Sequence, residues 1–92
     1  MTRSIVWTSQ FKRDYKLAIK RGLTIDFLDD CIRQIANGVE LAPKFRDHEL
    51  GGTWSGFREC HIRPDWLLIY RLEEDELILV LSRTGTHSDL FG

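Results

Sequence analysis

The 92-residue sequence is poor in cysteine, with only Cys31 and Cys60. Their spacing is not that of a metal-binding knuckle, and no second pair exists to complete a zinc site. They read as two free thiols in a reducing compartment. Long apolar runs are also missing. The longest, Trp66–Tyr70 and Leu77–Leu81, fall far short of the roughly 20 residues a membrane helix needs. The opening Met1-Thr2-Arg3-Ser4 lacks the apolar stretch of a secretion signal. The expectation is a cytoplasmic protein with no membrane partner. Net charge is nearly absent, at −1, which argues against coating nucleic acid by bulk electrostatics. No phosphate-binding loop, dinucleotide fingerprint or nucleophile elbow is present.

What remains is ordinary globular composition, 42% hydrophobic, which excludes disorder. A single domain over residues 1–92 is expected. The small net charge conceals a polarity. Residues 1–22 hold six basic side chains against Asp14, whereas segments 23–43 and 67–92 are both net acidic. Lys12, Lys16 and Lys20 recur every fourth residue and form a stripe that is either a solvated helix face or an anchor for a polyanion.

Hydrophobic periodicity supplies the elements. Ser4–Thr8 is short and β-branched and reads as a strand. Ser9 is placed to cap a helix whose one face carries Phe11, Tyr15, Ala18 and Gly22, with Gly22 as its stop. A second helix, Ile25 to Asn37, buries Ile25, Leu28, Ile32 and Ile35, with Thr24 before it and Gly38 after. Residues 39–56 read as loop. Phe57–Ile62 is a strand, Arg63-Pro64-Asp65 a turn, and Trp66–Leu72 a nearly continuous apolar strand covered on at least one face. After the acidic turn Glu73-Glu74-Asp75, Leu77–Ser82 is the last strand. The order β-α-α-β-β-β predicts an α+β fold, a helical hairpin packed on one face of a small, curved, mainly antiparallel sheet.

All three histidines, His48, His61 and His87, lie in the second half. In an antiparallel meander the ends of the second and fourth strands point the same way. His61 and the segment Arg83–His87 therefore share one sheet edge, and the preceding loop can bring His48 over them. Such a cluster suits RNA cleavage, which needs a base for the 2′-OH, an acid for the leaving 5′-oxygen and a cation for the phosphate. Imidazole serves both proton transfers. Arg83 can grip phosphate through its planar fork. Asp65 can orient a histidine or act as base. Trp66 and Phe91 can stack on bases, with core packing the rival role for Trp66. Three histidines and a carboxylate can also bind zinc, but no His-x-x-x-His or Cys-x-x-Cys pair supports it. No metal or cofactor is expected.

Three stretches together resemble a known family. They are Asp47-His48-Glu49-Leu50, the run Gly52–Tyr70 containing His61-Ile62-Arg63-Pro64-Asp65-Trp66, and Arg83-Thr84-Gly85-Thr86-His87-Ser88-Asp89-Leu90-Phe91. This combination is similar to the YafQ branch of the RelE superfamily, toxins of bacterial type II toxin–antitoxin modules. The resemblance implies an endoribonuclease that enters the ribosomal A site and cuts messenger RNA there, by metal-independent attack of the 2′-OH on the adjacent phosphate. It implies an active site of His48, His61, Asp65, His87 and Phe91, supported by Trp66 and Arg83. On this reading His87 is the general acid and His48 or Asp65 the base. His61 and Arg83 neutralise the phosphate, and Phe91 stacks on a base. The implied partners are a cognate antitoxin protein, the ribosome and mRNA, with operator DNA reached only through the antitoxin. The alternatives are a non-catalytic antitoxin-binding module acting as a transcriptional co-repressor and, third, a zinc-dependent hydrolase.

Overall fold

A computed structural model describes residues 2–92. The elements in chain order are β1 (Ser4–Trp7), α1 (Ser9–Lys20), α2 (Ile25–Ala36), β2 (His48–Glu49), β3 (Arg58–Arg63), β4 (Trp66–Glu73), β5 (Ile78–Gly85) and α3 (His87–Phe91). Two 3₁₀ turns, Pro43–Phe45 and Gly52–Trp54, lie in the long segment between α2 and β3. The α+β architecture matches the sequence reading. No helix is long and apolar enough to cross a membrane among the described residues.

The five strands form one sheet in the order β1-β5-β4-β3-β2. β1 runs parallel to β5, from the pair Ser4–Ile78 to the pair Trp7–Leu81. The remaining pairings are antiparallel. The first strand is thus paired with the last long one, and β4 lies at the centre. Its residues Trp66–Tyr70 are all buried, because both faces of the sheet are covered. On the helix face, Phe11, Leu28, Ile32 and Ile35 pack on Leu68, Tyr70, Leu79 and Leu81. On the opposite face Leu67 and Ile69 form a second, smaller core with Leu90, flanked by Leu50, Trp54 and Phe57. Cys31 of α2 and Cys60 of β3 meet in the main core as thiols, Sγ to Sγ 3.6 Å.

Local differences from the sequence reading have local causes. Thr8, not Ser9, caps α1. Its Oγ1 accepts the Phe11 N–H at 3.0 Å, while its hydroxyl also reaches the Ser82 carbonyl. Thr8 is still extended, which leaves its side chain free to fold back on the first turn. The segment read as loop, 39–56, contains β2 and the two 3₁₀ turns. The last strand continues three residues past Ser82, through a register shift opposite Ile69 and Tyr70, to Gly85. Trp66 is only 4% exposed and its Nε1–H donates to Thr84 Oγ1 at 3.0 Å. The expectation that it stacks on a base is therefore corrected: Trp66 is a core residue that ties β4 to the end of β5.

Thr84 is the hinge of that tie, since its hydroxyl also donates to the Leu67 carbonyl at 2.7 Å. Thr84→Val keeps the shape but orphans the indole N–H and that carbonyl in a buried site. Urea denaturation should show a loss of about 1–3 kcal/mol. A change within about 0.5 kcal/mol, the range of neutral surface substitutions, would mean that the two bonds carry no stability.

Candidate active site

Each histidine is held by its own anchor. His48 follows Asp47, whose carboxylate accepts the Tyr70 hydroxyl and the Arg58 guanidinium, Nη2 to Oδ2 3.1 Å. Burial, then the bond to Asp47, pushes the Tyr70 phenol far above its usual range, so it remains a donor. This staple lays the 46–49 segment on the sheet edge, where His48 pairs with Glu59 of β3. His48 Nδ1 lies 2.6 Å from the Arg46 carbonyl. A carbonyl only accepts, so Nδ1 carries the hydrogen. In the neutral ring Nε2 then presents a lone pair.

His61 lies near the end of β3. Its Nδ1 faces the Pro64 carbonyl at 3.4 Å and its Nε2 faces Glu59 Oε1 at 3.3 Å. Acceptors thus stand at both ring nitrogens. Glu59 is 5% exposed, and the same oxygen lies 3.6 Å from His48 Nε2. A buried carboxylate thus sits beneath two of the three imidazoles.

His87 opens α3. Asp65 Oδ1 meets both its backbone N–H, at 3.0 Å, and its Nδ1, at 2.8 Å. These two bonds, the backbone one first, hold the Asp65 carboxyl below its ordinary value. Asp65 is therefore an orienting carboxylate and a poor proton acceptor. It fixes the proton on Nδ1 and leaves Nε2 as the exchangeable position. The five-residue helix is fastened by a capping box in which Thr86 and Asp89 each accept the other's backbone N–H. Asp89 also takes the Arg21 guanidinium from the end of α1 at 2.6 Å. Arg21 first, then the Thr86 backbone, holds the Asp89 carboxyl well below its ordinary value. A Cβ on Gly85 would lie 2.9 Å from Asp89 Oδ2, so only glycine lets α3 fold back this closely.

The result is an arc of rings. Centroids are 6.4 Å apart for His48 and His61, 5.8 Å for His61 and His87, and 6.4 Å for His87 and Phe91. Phe91 is 46% exposed and rests edge-on against Trp54. His48, His61, Asp65, His87 and Phe91 are thus brought together. Arg83 is not free to join them. Its Nε and Nη2 are bound to Asp14 of α1 at 2.7 and 3.3 Å, so its planar fork is engaged by a carboxylate and not left for phosphate. That expectation is corrected to a supporting role, with Trp66. Lys12, Lys16 and Lys20 are exposed on α1, outside the arc. Glu59, Asp47, Asp89 and Arg21 were not singled out from sequence. Glu59 left a signal, being two residues from His61 and so on the same strand face, and Asp47 and Asp89 stand within the stretches that carry the family resemblance.

The donor atoms of Glu59, His61 and His87 lie within 4.8 Å of one another, a set able to hold a divalent metal. Asp65 behind His87 is the outer carboxylate such ligands favour. Without a metal, the arc offers a lone pair on His48, an oriented imidazole on His87 and the Glu59-paired His61 between them.

Comparison with known proteins follows the same line. The profile of the YafQ family, a bacterial toxin of a type II toxin–antitoxin system, matches residues 3–92. The mRNA interferase toxin YafQ of Escherichia coli K12 is 40% identical over 91 residues, covering 98% of this chain and 97% of its own. The crystal structure of the E. coli DinJ-YafQ toxin-antitoxin complex contains a chain with 39% identity and a TM-score of 0.91, both chains being covered in full. A metal-bound toxin from Helicobacter pylori has 40% identity and a TM-score of 0.91, over 99% of this chain and 100% of its own.

The Asp89 fastening predicts a pH signature. Asp89→Asn removes the ion pair and half the capping box, and should cost about 1 kcal/mol at pH 7. A depressed carboxyl stabilises the fold above its unfolded value, near 3.8, and loses that contribution as pH falls toward its folded value. The stability gap between wild type and variant should therefore narrow below about pH 4. A gap that persists unchanged to pH 2 would show that the carboxylate charge does not fasten α3.

Proposed function

Because the chain belongs to the YafQ family of type II toxins, we propose that its histidine arc is the cutting centre through which it acts as an mRNA interferase on translating ribosomes. It is an endoribonuclease toxin. The observation that carries the proposal is the order of the arc, with a proton acceptor and a proton donor on either side of the His61–Glu59 pair. His48 Nε2 takes the 2′-OH proton, and the freed oxygen attacks the adjacent phosphorus. His61 exchanges its long 3.4 Å contact with the Pro64 carbonyl for the non-bridging oxygens and donates to them as charge builds. His87, protonated on Nε2 and oriented by Asp65, gives its proton to the departing 5′-oxygen, leaving a 2′,3′-cyclic phosphate. Between His48 and Asp65, the geometry favours His48 as base, since Asp65 is already bound to His87. Phe91, exposed beside His87, supplies a face for a base. The ribosomal A site supplies the positioned RNA strand.

The lysines of α1 serve as a docking face toward ribosomal RNA. A cognate antitoxin is the protein partner, as DinJ is for YafQ, and operator DNA is met only through it. Residues 1–92 constitute one toxin domain acting in the cytoplasm. Glu59, His61 and His87 fit a divalent metal, which would supply positive charge at the phosphate. It would also occupy the nitrogens that the proton transfers require.

Two experiments follow. On ribosomes programmed with mRNA, wild type should cleave, and His87→Ala should lower the rate by about 10² to 10⁴. Intact mRNA with wild type would overturn the nuclease reading and favour the non-catalytic co-repressor. In the same assay a chelator should leave the rate unchanged and added zinc should inhibit. A rate abolished by chelator and restored by zinc would establish the zinc-dependent alternative.

A further inference from the structure

A cavity of about 530 Å³ opens between α2, the 3₁₀ turn at Pro43–Phe45 and the end of β3, and His61 forms part of its wall. It exists because β2 stops at His48–Glu49, leaving β3 uncovered from His61 onward. The rest of its lining includes Phe27, Lys44, Phe45, Arg46 and Arg63. Arg63 lies over the Phe27 ring at 5.3 Å, and Lys44 over Phe45 at 5.3 Å.

Among the described residues, cations without a carboxylate partner gather in two places, the exposed face of α1 and this groove. Among the described residues Arg3, Arg21, Arg33, Arg58, Arg71 and Arg83 are each ion-paired with a carboxylate. Lys44, Arg46 and Arg63 have no such pairing. The one acid on the wall, Asp30, is already paired with Arg33 at 2.6 Å. In a chain of net charge −1, three cations without acidic partners converge beside the histidine arc. Uncompensated cations around aromatic rings match a phosphodiester with a base attached. Arg46 closes the 3₁₀ turn in a left-handed backbone, φ 49°.

We propose that this groove is a nucleotide subsite, binding the single-stranded RNA next to the scissile phosphate. Arg46 and Arg63 hold the flanking phosphate, and the Phe27 and Phe45 rings receive the neighbouring base. His61 is the shared wall, so the strand runs continuously from groove to arc. The assignment rests on the ribonuclease reading and extends it from the bond cut to the strand held.

The test is titration of a single-stranded RNA hexamer, 2′-O-methylated at each position so that no 2′-OH can attack, into the full chain. It is followed by amide chemical shifts and by affinity across salt concentrations. Arg46→Asn/Arg63→Gln is the variant, asparagine being tolerant of the left-handed backbone. Wild type should show shifts at Phe27, Phe45, Ile62 and Arg63. The double variant should bind at least tenfold more weakly. Its slope of log affinity on log salt should fall by about 1.4, or about 0.7 for each cation removed from the phosphates. Arg13→Gln, which removes an exposed α1 cation outside the groove, should change affinity less than threefold. Absence of groove shifts at millimolar RNA, or equal affinity of the groove variant and wild type, overturns the subsite. Ribosomal cleavage is measured alongside. Groove binding without cleavage defeats the nuclease reading alone. Cleavage by wild type with an unaltered rate in the groove variant defeats the subsite alone.

Discussion

A carboxylate taken out of water must be matched on every side, and Asp14 is where this molecule meets that demand. It is buried in the first helix, and it collects the Arg83 guanidinium, the Thr84 backbone N–H at 3.2 Å and the Gln10 amide at 3.0 Å. Removing any one partner leaves part of a buried charge exposed to an apolar interior, which is costly enough to fix the geometry. The consequence is positional. The end of β5 is clamped to α1, and everything beyond it inherits that placement: the Thr84 bridge to Trp66, the close approach at Gly85, the Thr86 cap, His87 and Phe91. The segment carrying His87 and Phe91 follows the last strand, and it is anchored back to the first helix twice, through Asp14 and through the Arg21–Asp89 pair.

The second organising constraint is that the sheet is covered on both faces by unequal cores. The larger lies under the helices. The smaller uses Leu67 and Ile69 with Leu90, whose burial holds α3 against the sheet. The arc therefore stands at a rim where three separate pieces end: the 46–49 segment, the β3–β4 turn and the start of α3. None of these pieces is long enough to be rigid alone. Each is fixed by a carboxylate, respectively Asp47, Asp65 and Asp89, so the imidazoles are positioned by hydrogen-bonded carboxylates.

The long elements were legible because periodicity over a dozen residues averages out local noise. Leu28, Ile32 and Ile35 are buried as their spacing requires, and the continuous run Trp66–Tyr70 marks the central strand. Legibility failed where a structural unit is shorter than its own period. β2 has two residues and α3 five, too few for either pattern to declare itself. The histidine convergence was readable from strand direction alone. Side-chain fate was not. Trp66 and Arg83 have residue types suited to RNA, but their partners, Thr84 and Asp14, are supplied by distant parts of the chain. Asp14 itself looked like one acid among six bases. Glu59 stood two residues from His61, yet its burial depends on β2, an element the sequence did not reveal.

The pairing of β1 with β5 ties residues 4–7 to residues 78–81. Chains grow from the amino terminus, so β1 is made first and waits while residues 8–77 are added for the strand that completes it. The sheet cannot close, and His87 cannot reach Asp65, before β5 and α3 have left the ribosome that makes them. Assembly of the histidine arc is thereby tied to contacts between segments far apart in sequence, which form late in folding.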